Sequence, residues 1–233
     1  ALVCAALGYA IHIVSSDAFS PEKLDQMAAF GARLTLVSSE GGLTTKKLIL
    51  DMIEAARRLS REPHTYWTDQ LNNLDSLAGY AALGEEIWEQ TDGRVDAFVH
   101  SVGTAASLRG VATVLKKKNP NIRIVAVEPA ESPVLSGGQP GPHRIEGVGI
   151  GYIPPLWDPS VVDEIRSVAT EDAKEMARRL AREEAIFAGT SSGANVLAAI
   201  RVGEGLGPSA RVVTLMADSG LKYLNTDVYR GKG

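Results

Sequence analysis

Two short runs combine glycine with hydroxyl side chains where an apolar stretch gives way to a helical one. They are Val102-Gly103-Thr104-Ala105-Ala106-Ser107 and Ala188-Gly189-Thr190-Ser191-Ser192-Gly193-Ala194. The first follows a β-rich run, Val95 to Val102, and precedes a helical pattern of Leu, Val, Ala and Lys that ends at Lys118. An anion held there would lie at a helix N-terminus, where free backbone N–H groups and the helix dipole favour a phosphate ester. Thr104 and Ser107 would add hydroxyl donors. A plain strand-to-helix turn with Ser107 as N-cap accounts for the same residues. The second run precedes the apolar helix Asn195 to Ile200, and its serines also suit N-caps.

Elements must position these loops, and the pattern supplies them by alternation. Strands are predicted at Tyr9 to Ser15, Arg33 to Val37, His64 to Trp67, 95–102, 122–127 and 211–217. Helices are predicted at Pro21 to Phe30, Thr44 to Ser60, Leu77 to Thr91, 106–118, 171–184 and 192–203. Ser20 as N-cap and Pro21 at the first helical position mark one helix start, and Gly31 its end. Such alternation implies an α/β fold with parallel strands and helices on both faces. The Gly- and Pro-rich stretch from Pro129 to Ser160 is long for a connection, and long loops tend to carry function. Within it, Gly147-Val148-Gly149-Ile150-Gly151 suits either close backbone approach or a flexible turn. No strand and helix flank it as a dinucleotide fingerprint requires.

Composition narrows the classes. The chain has 233 residues, enough for one large or two small domains with a sizeable core. Lys and Arg number 24 against 28 Asp and Glu, with Lys116-Lys117-Lys118 the longest basic run, so nucleic acid is not an expected partner. No apolar segment is long enough for a membrane span. Four histidines, His12, His64, His100 and His143, lack metal-ligand spacing and read as structural. A single cysteine, Cys4, can form no intrachain disulfide and favours a cytoplasmic setting. The opening, Ala1 to Gly8, reads as the middle of a helix ending at Gly8, with sequence expected upstream.

Ordered matches then extend through nearly the whole chain. They are Ser20-Pro21-Glu22-Lys23 to Phe30-Gly31-Ala32, Gln70 to Asn73, Glu86 to Gly93, Val102 to Ser107, Ile145 to Gly149, Ala188 to Ala194, and Asp218-Ser219-Gly220-Leu221-Lys222-Tyr223-Leu224. In these segments the chain resembles the cysteine synthase and cystathionine β-synthase family, pyridoxal-phosphate enzymes of fold type II. The resemblance implies two three-layer αβα domains with mainly parallel sheets: an incomplete small domain over 1–72 and a large cofactor-binding domain over 73–233. It implies pyridoxal 5′-phosphate as cofactor, held by Gly103, Thr104, Ala105, Ala106 and Ser107 at the phosphate and by Ser191 at the pyridine nitrogen. Ser192 is the alternative if the register shifts by one. Gln70 and Gly147 would border the substrate. The family's cup more often reads Gly-Thr-Gly-Gly-Thr, so Ala105 and Ala106 place Cβ atoms where a positive φ or close approach is expected.

The lysine that forms the family's Schiff base, and the Asn-Thr-Gly loop that holds the substrate carboxylate, precede the helix that Ala1 to Gly8 resembles. No catalytic residue is therefore assigned, since Lys46 and Lys47 fall on a helix away from the cofactor. The resemblance implies β-replacement: an activated serine such as O-acetylserine loses its leaving group, and sulfide or another thiol takes its place, in a homodimer when complete. The 233 residues alone are expected to be inactive. A non-catalytic interaction module and a serine or threonine dehydratase are the alternatives.

Overall fold

The computed structural model describes residues 1–230. Two parallel sheets organise them. In the first, β1 (His12–Ser16) pairs in register with β2 (Arg33–Val37). Against it pack α2 (Pro21–Ala29) and α3 (Lys46–Leu59), while α1 (Leu2–Leu7) precedes β1 with no buried residue. The expected start of α2 holds, with Ser20 in the N-cap position and Pro21 first in the helix, although the Ser20 hydroxyl makes no capping bond. Thr45 does cap α3, accepting from Leu48 N at 3.2 Å.

The second sheet has four strands in the order β5-β4-β3-β6. They are β3 (Ala97–Ser101), β4 (Arg123–Pro129), β5 (Glu164–Val168) and β6 (Val212–Thr214), and every pairing is parallel. On one face, α4 (Asp75–Gln90) and α5 (Ala106–Lys118) enclose Phe98, Ile124 and Ala126; on the other, α6 (Thr170–Glu183) and α7 (Thr190–Leu206) enclose Ala97, Val99 and Val125. All of β3 is buried, because its alternating side chains meet a helical layer whichever way they point. Each fully buried Val, Leu or Phe contributes roughly 1.5–3 kcal/mol by leaving water.

Strand order decides where a ligand can sit. The chain moves outward through β3, β4 and β5, then returns to place β6 on the other side of β3. The carboxyl ends of β3 and β6 thus flank a topological switch point, where open α/β sheets bind ligands.

The alternation expected from sequence is present, with two corrections. His64 to Trp67 is not a strand: His64 has φ 60°, Tyr66 is 76% exposed, and no neighbouring strand offers a ladder. Conversely, β5 was not expected, because Glu164 and Arg166 interrupt its apolar pattern. As an edge strand it can carry those charges, and Arg123 and Arg166 pair with Glu164. The lysine run closes α5, with Lys116 on Asp163 and Lys118 on Glu85, complementing the helix C-terminus.

Candidate functional site

The loop after β3 is held at both ends and open between them. Val102 N donates to Val127 O at 3.0 Å, continuing the sheet, and Gly149 N donates to Val102 O at 3.0 Å. Beyond that, the N–H groups of Gly103, Thr104, Ala105 and Ser107 find no acceptor among the described residues. Ala106 N donates to Thr104 Oγ1 at 3.2 Å, so of the five expected phosphate-binding residues Ala106 has its amide engaged. Ser107 is not the N-cap, for α5 begins at Ala106 and the cap position falls on Ala105 with no side-chain bond. Four amides and two hydroxyls at the positive end of a 13-residue helix form a donor set suited to a dianionic phosphate.

Ala105 takes φ 70°, ψ −8°, the left-handed conformation that its Cβ disfavours by about 1–2 kcal/mol. Ala106, by contrast, is ordinary helix. Of the two alanines in the cup, only Ala105 carries strain.

Gly103 has no room for a side chain: a Cβ there would stand 2.4 Å from Gly147 O. The loop from Ile145 to Gly151 therefore lies directly against the cup, which settles close approach over a flexible turn. Gly149, at φ 62°, is wedged against Pro129 and His143, and Val102, Gly103, Gly149, Ile150 and Tyr152 line one small cavity. His143 braces this loop. Its Nδ1 can only accept from Ile145 N, at 3.3 Å, so Nε2 carries the proton and donates to Gly149 O at 2.8 Å. Burial lowers the pKa of His143 and favours that neutral form.

The second loop joins the same place through α7. Glu146 N donates to Thr190 Oγ1 at 3.3 Å, so Gly147 connects the cup to the first turn of α7. Gly189 N donates to Asp218 Oδ1 at 3.1 Å, and Tyr223 OH to Asp218 Oδ2 at 2.6 Å. Lys23 from α2 reaches in, donating to Glu146 Oε2 at 2.6 Å and to the Tyr223 oxygen at 2.9 Å. Burial, then the carboxylates of Asp218 and Glu146, push the Tyr223 phenol pKa upward, so it remains protonated. The two adjacent serines differ. Ser192 is wholly buried, its hydroxyl accepting from Ala217 N at 3.0 Å, whereas the Ser191 hydroxyl has no partner among the described residues.

Of the expected site residues, Gly103, Thr104, Ala105, Ala106 and Ser107 share one loop packed against Gly147, and Ser191 follows Thr190, which accepts from Glu146 N. Gln70 is exposed, with no side-chain hydrogen bond among the described residues. It follows Asp69, whose charge acts after burial in raising the pKa of Tyr152.

Comparison with known proteins turns this geometry into an assignment. A family model described as pyridoxal-phosphate dependent enzyme matches residues 1–218. The chain belongs to that family. A cysteine synthase of Staphylococcus aureus is 40% identical over 232 residues, 98% of this chain and 73% of the relative. A cysteine synthase structure from Entamoeba histolytica superposes with a TM-score of 0.85 at 38% identity, covering 99% of this chain and 68% of that one. An O-acetylserine-dependent cystathionine β-synthase from Helicobacter pylori gives 0.88 at 32% identity, over 98% and 73%. The fold is fold type II, and the family's cofactor is pyridoxal phosphate. The open amides of the cup and the close Gly103–Gly147 contact fit the cofactor's phosphate.

One participant was not expected. His100, read from sequence as structural, places Nε2 2.9 Å from Ser107 Oγ. The signal available was its place in a buried strand seven residues before Ser107.

Proposed function

We propose that this protein catalyses pyridoxal-phosphate-dependent β-replacement, forming cysteine or a related thioether from an activated serine such as O-acetylserine and sulfide or another thiol. The observation that carries the reading is the row of unpartnered amides at the start of α5, closed over by Gly147 and standing at the sheet's switch point. Names of the relatives support the reaction class: cysteine synthase, and O-acetylserine-dependent cystathionine β-synthase.

Bound pyridoxal phosphate supplies an electron sink for negative charge at the α-carbon of an amino acid. In this reading Gly103, Thr104, Ala105 and Ser107 hold the phosphate, with Ala106 shaping the turn. Ser191 offers its free hydroxyl to the pyridine nitrogen. A neutral hydroxyl does not keep that nitrogen protonated as a carboxylate would, and the weaker sink suits loss of a β-substituent rather than transamination. Gly147 and Gln70 border the substrate. Lys23, held by Glu146, ties residues 1–72, the proposed small domain, to the proposed large domain beyond.

The resemblance places the cofactor-bonding lysine and the carboxylate loop before the Ala1 helix, and neither role is assigned to a residue here. A cytoplasmic homodimer completes the proposal, supported by the resemblance and by the lone Cys4. The test is an assay of the complete gene product with cofactor, serine derivatives and either sulfide or homocysteine. Cysteine or a thioether is expected. No product from any serine derivative overturns the proposal, and pyruvate or 2-oxobutyrate released without added thiol points to a dehydratase.

A further inference from the structure

The polar network behind the cup has one self-consistent arrangement of hydrogens. Ser101 N–H can only donate, and it does so to Asn195 Oδ1 at 2.7 Å, which fixes the orientation of the Asn195 amide. Asn195 Nδ2 then has two hydrogens to place: one goes to Leu215 O at 2.9 Å, the other to His100 Nδ1 at 3.2 Å. His100 Nδ1 is thereby an acceptor and its proton lies on Nε2. That nitrogen faces Ser107 Oγ at 2.9 Å. Ser107 Oγ accepts from the imidazole, and its own hydroxyl proton must leave in another direction. Asn195 is fully buried and satisfied at every polar atom, so the arrangement cannot invert without stranding the Ser101 amide.

We propose that His100 is a positioning residue for the cofactor's phosphate: its Nε2–H bond to Ser107 Oγ turns the Ser107 hydroxyl proton into the cup, converting an ambivalent serine into a dedicated donor. Asn195, in the second turn of α7, sets the tautomer of His100 and so couples the first turn of α5 to α7. Burial keeps the imidazole neutral, as this arrangement needs. Phe98 lies beside the ring, centroids 5.9 Å apart. Ser107 thus matches the donor role of a threonine hydroxyl without the methyl group that would otherwise restrict its rotamer.

The inference rests on the reading of the cup as a phosphate site. Two measurements on the full chain separate them. In the first, long-range nitrogen–proton NMR reads the His100 tautomer without ligand; protonation at Nε2 is expected, and protonation at Nδ1 overturns the inference. In the second, affinities for pyridoxal 5′-phosphate and for pyridoxal are compared. His100→Phe is expected to lower affinity for the phosphate ester about tenfold and leave pyridoxal within about twofold, the size of one charge-assisted hydrogen bond. His100→Gln, which keeps a donor at the Nε2 position, restores most of the loss. In a Ser107→Ala background the His100 change has no further effect. Unchanged affinity in His100→Phe, or equal loss for both ligands, overturns the role of His100. A wild-type chain that binds both ligands equally overturns the phosphate reading itself, and this shows before any variant is made.

Discussion

Among the described residues, the loop after β3 leaves four amides without acceptors and carries a strained alanine, whereas the loop that opens α7 leaves the amides of Thr190, Ser191 and Ser192 open but has its side chains largely engaged. In the second loop Gly189 N, Thr190 Oγ1 and Ser192 Oγ all have partners, and Gly193 is packed so tightly that a Cβ would stand 2.1 Å from Ala173 O. Of its hydroxyls, only that of Ser191 has no partner among the described residues. Composition makes the two loops look alike, yet the first is the proposed cradle, while the second is anchored by its side chains and leaves one hydroxyl open. Chemistry follows from which donors the fold leaves unpaired.

The largest effect should come from breaking the packing of the second loop. Gly193→Ala drives a methyl group into the backbone of α6 and is expected to destabilise the chain by about 3 kcal/mol or more in urea unfolding, the upper range for overpacking. Next is acid. Burial pushes the pKa of His100 from 6.5 down to about 4, so the unfolded chain binds its proton first as pH falls. Stability is whole above about pH 6.5 and declines towards pH 4, by up to about 3 kcal/mol, and His143 adds in the same direction. Replacing His100 with Gln should flatten this pH profile; an unchanged slope would assign it elsewhere.

The two serines give a sharper contrast. Ser192→Ala removes a wholly buried hydroxyl and the acceptor of the Ala217 N–H and should cost about 1 kcal/mol of stability, while Ser191→Ala should leave stability unchanged. Cofactor affinity should move the other way, falling about fivefold for Ser191→Ala, one hydrogen bond's worth. The smallest change is a gain. Ala105→Gly removes left-handed strain against the extra backbone freedom of glycine, for a net stabilisation of about 0.5–1 kcal/mol by thermal unfolding.

Much of this was legible in the sequence for a physical reason: parallel strands buried on both faces leave continuous apolar runs, and β2 and β4 emerged near their expected bounds. What failed were segments whose structure depends on a neighbour. His64 to Trp67 has strand-forming residues and no strand to pair with, while the charged Glu164–Val168 pairs because β4 is beside it. The cup was legible because glycine and hydroxyl residues mark a strand-to-helix turn, and the cost of Ala105 followed from the missing glycine. The resemblance already pointed to Ser191 with Ser192 as the alternative, but the bond that engages Ser192 with Ala217 was not legible, and the proposed role of His100 needed Asn195, 95 residues away along the chain. Local spacing carries no record of such partners.

The claim that the β3–α5 loop is the cofactor's phosphate cradle has one most direct test, an amide NMR titration of the chain with pyridoxal 5′-phosphate and, separately, with pyridoxal. The account predicts that the amide signals of Gly103, Thr104, Ala105 and Ser107 shift with the phosphate ester and not with pyridoxal. Shifts that spare those four amides, or that the two ligands produce alike, would contradict it.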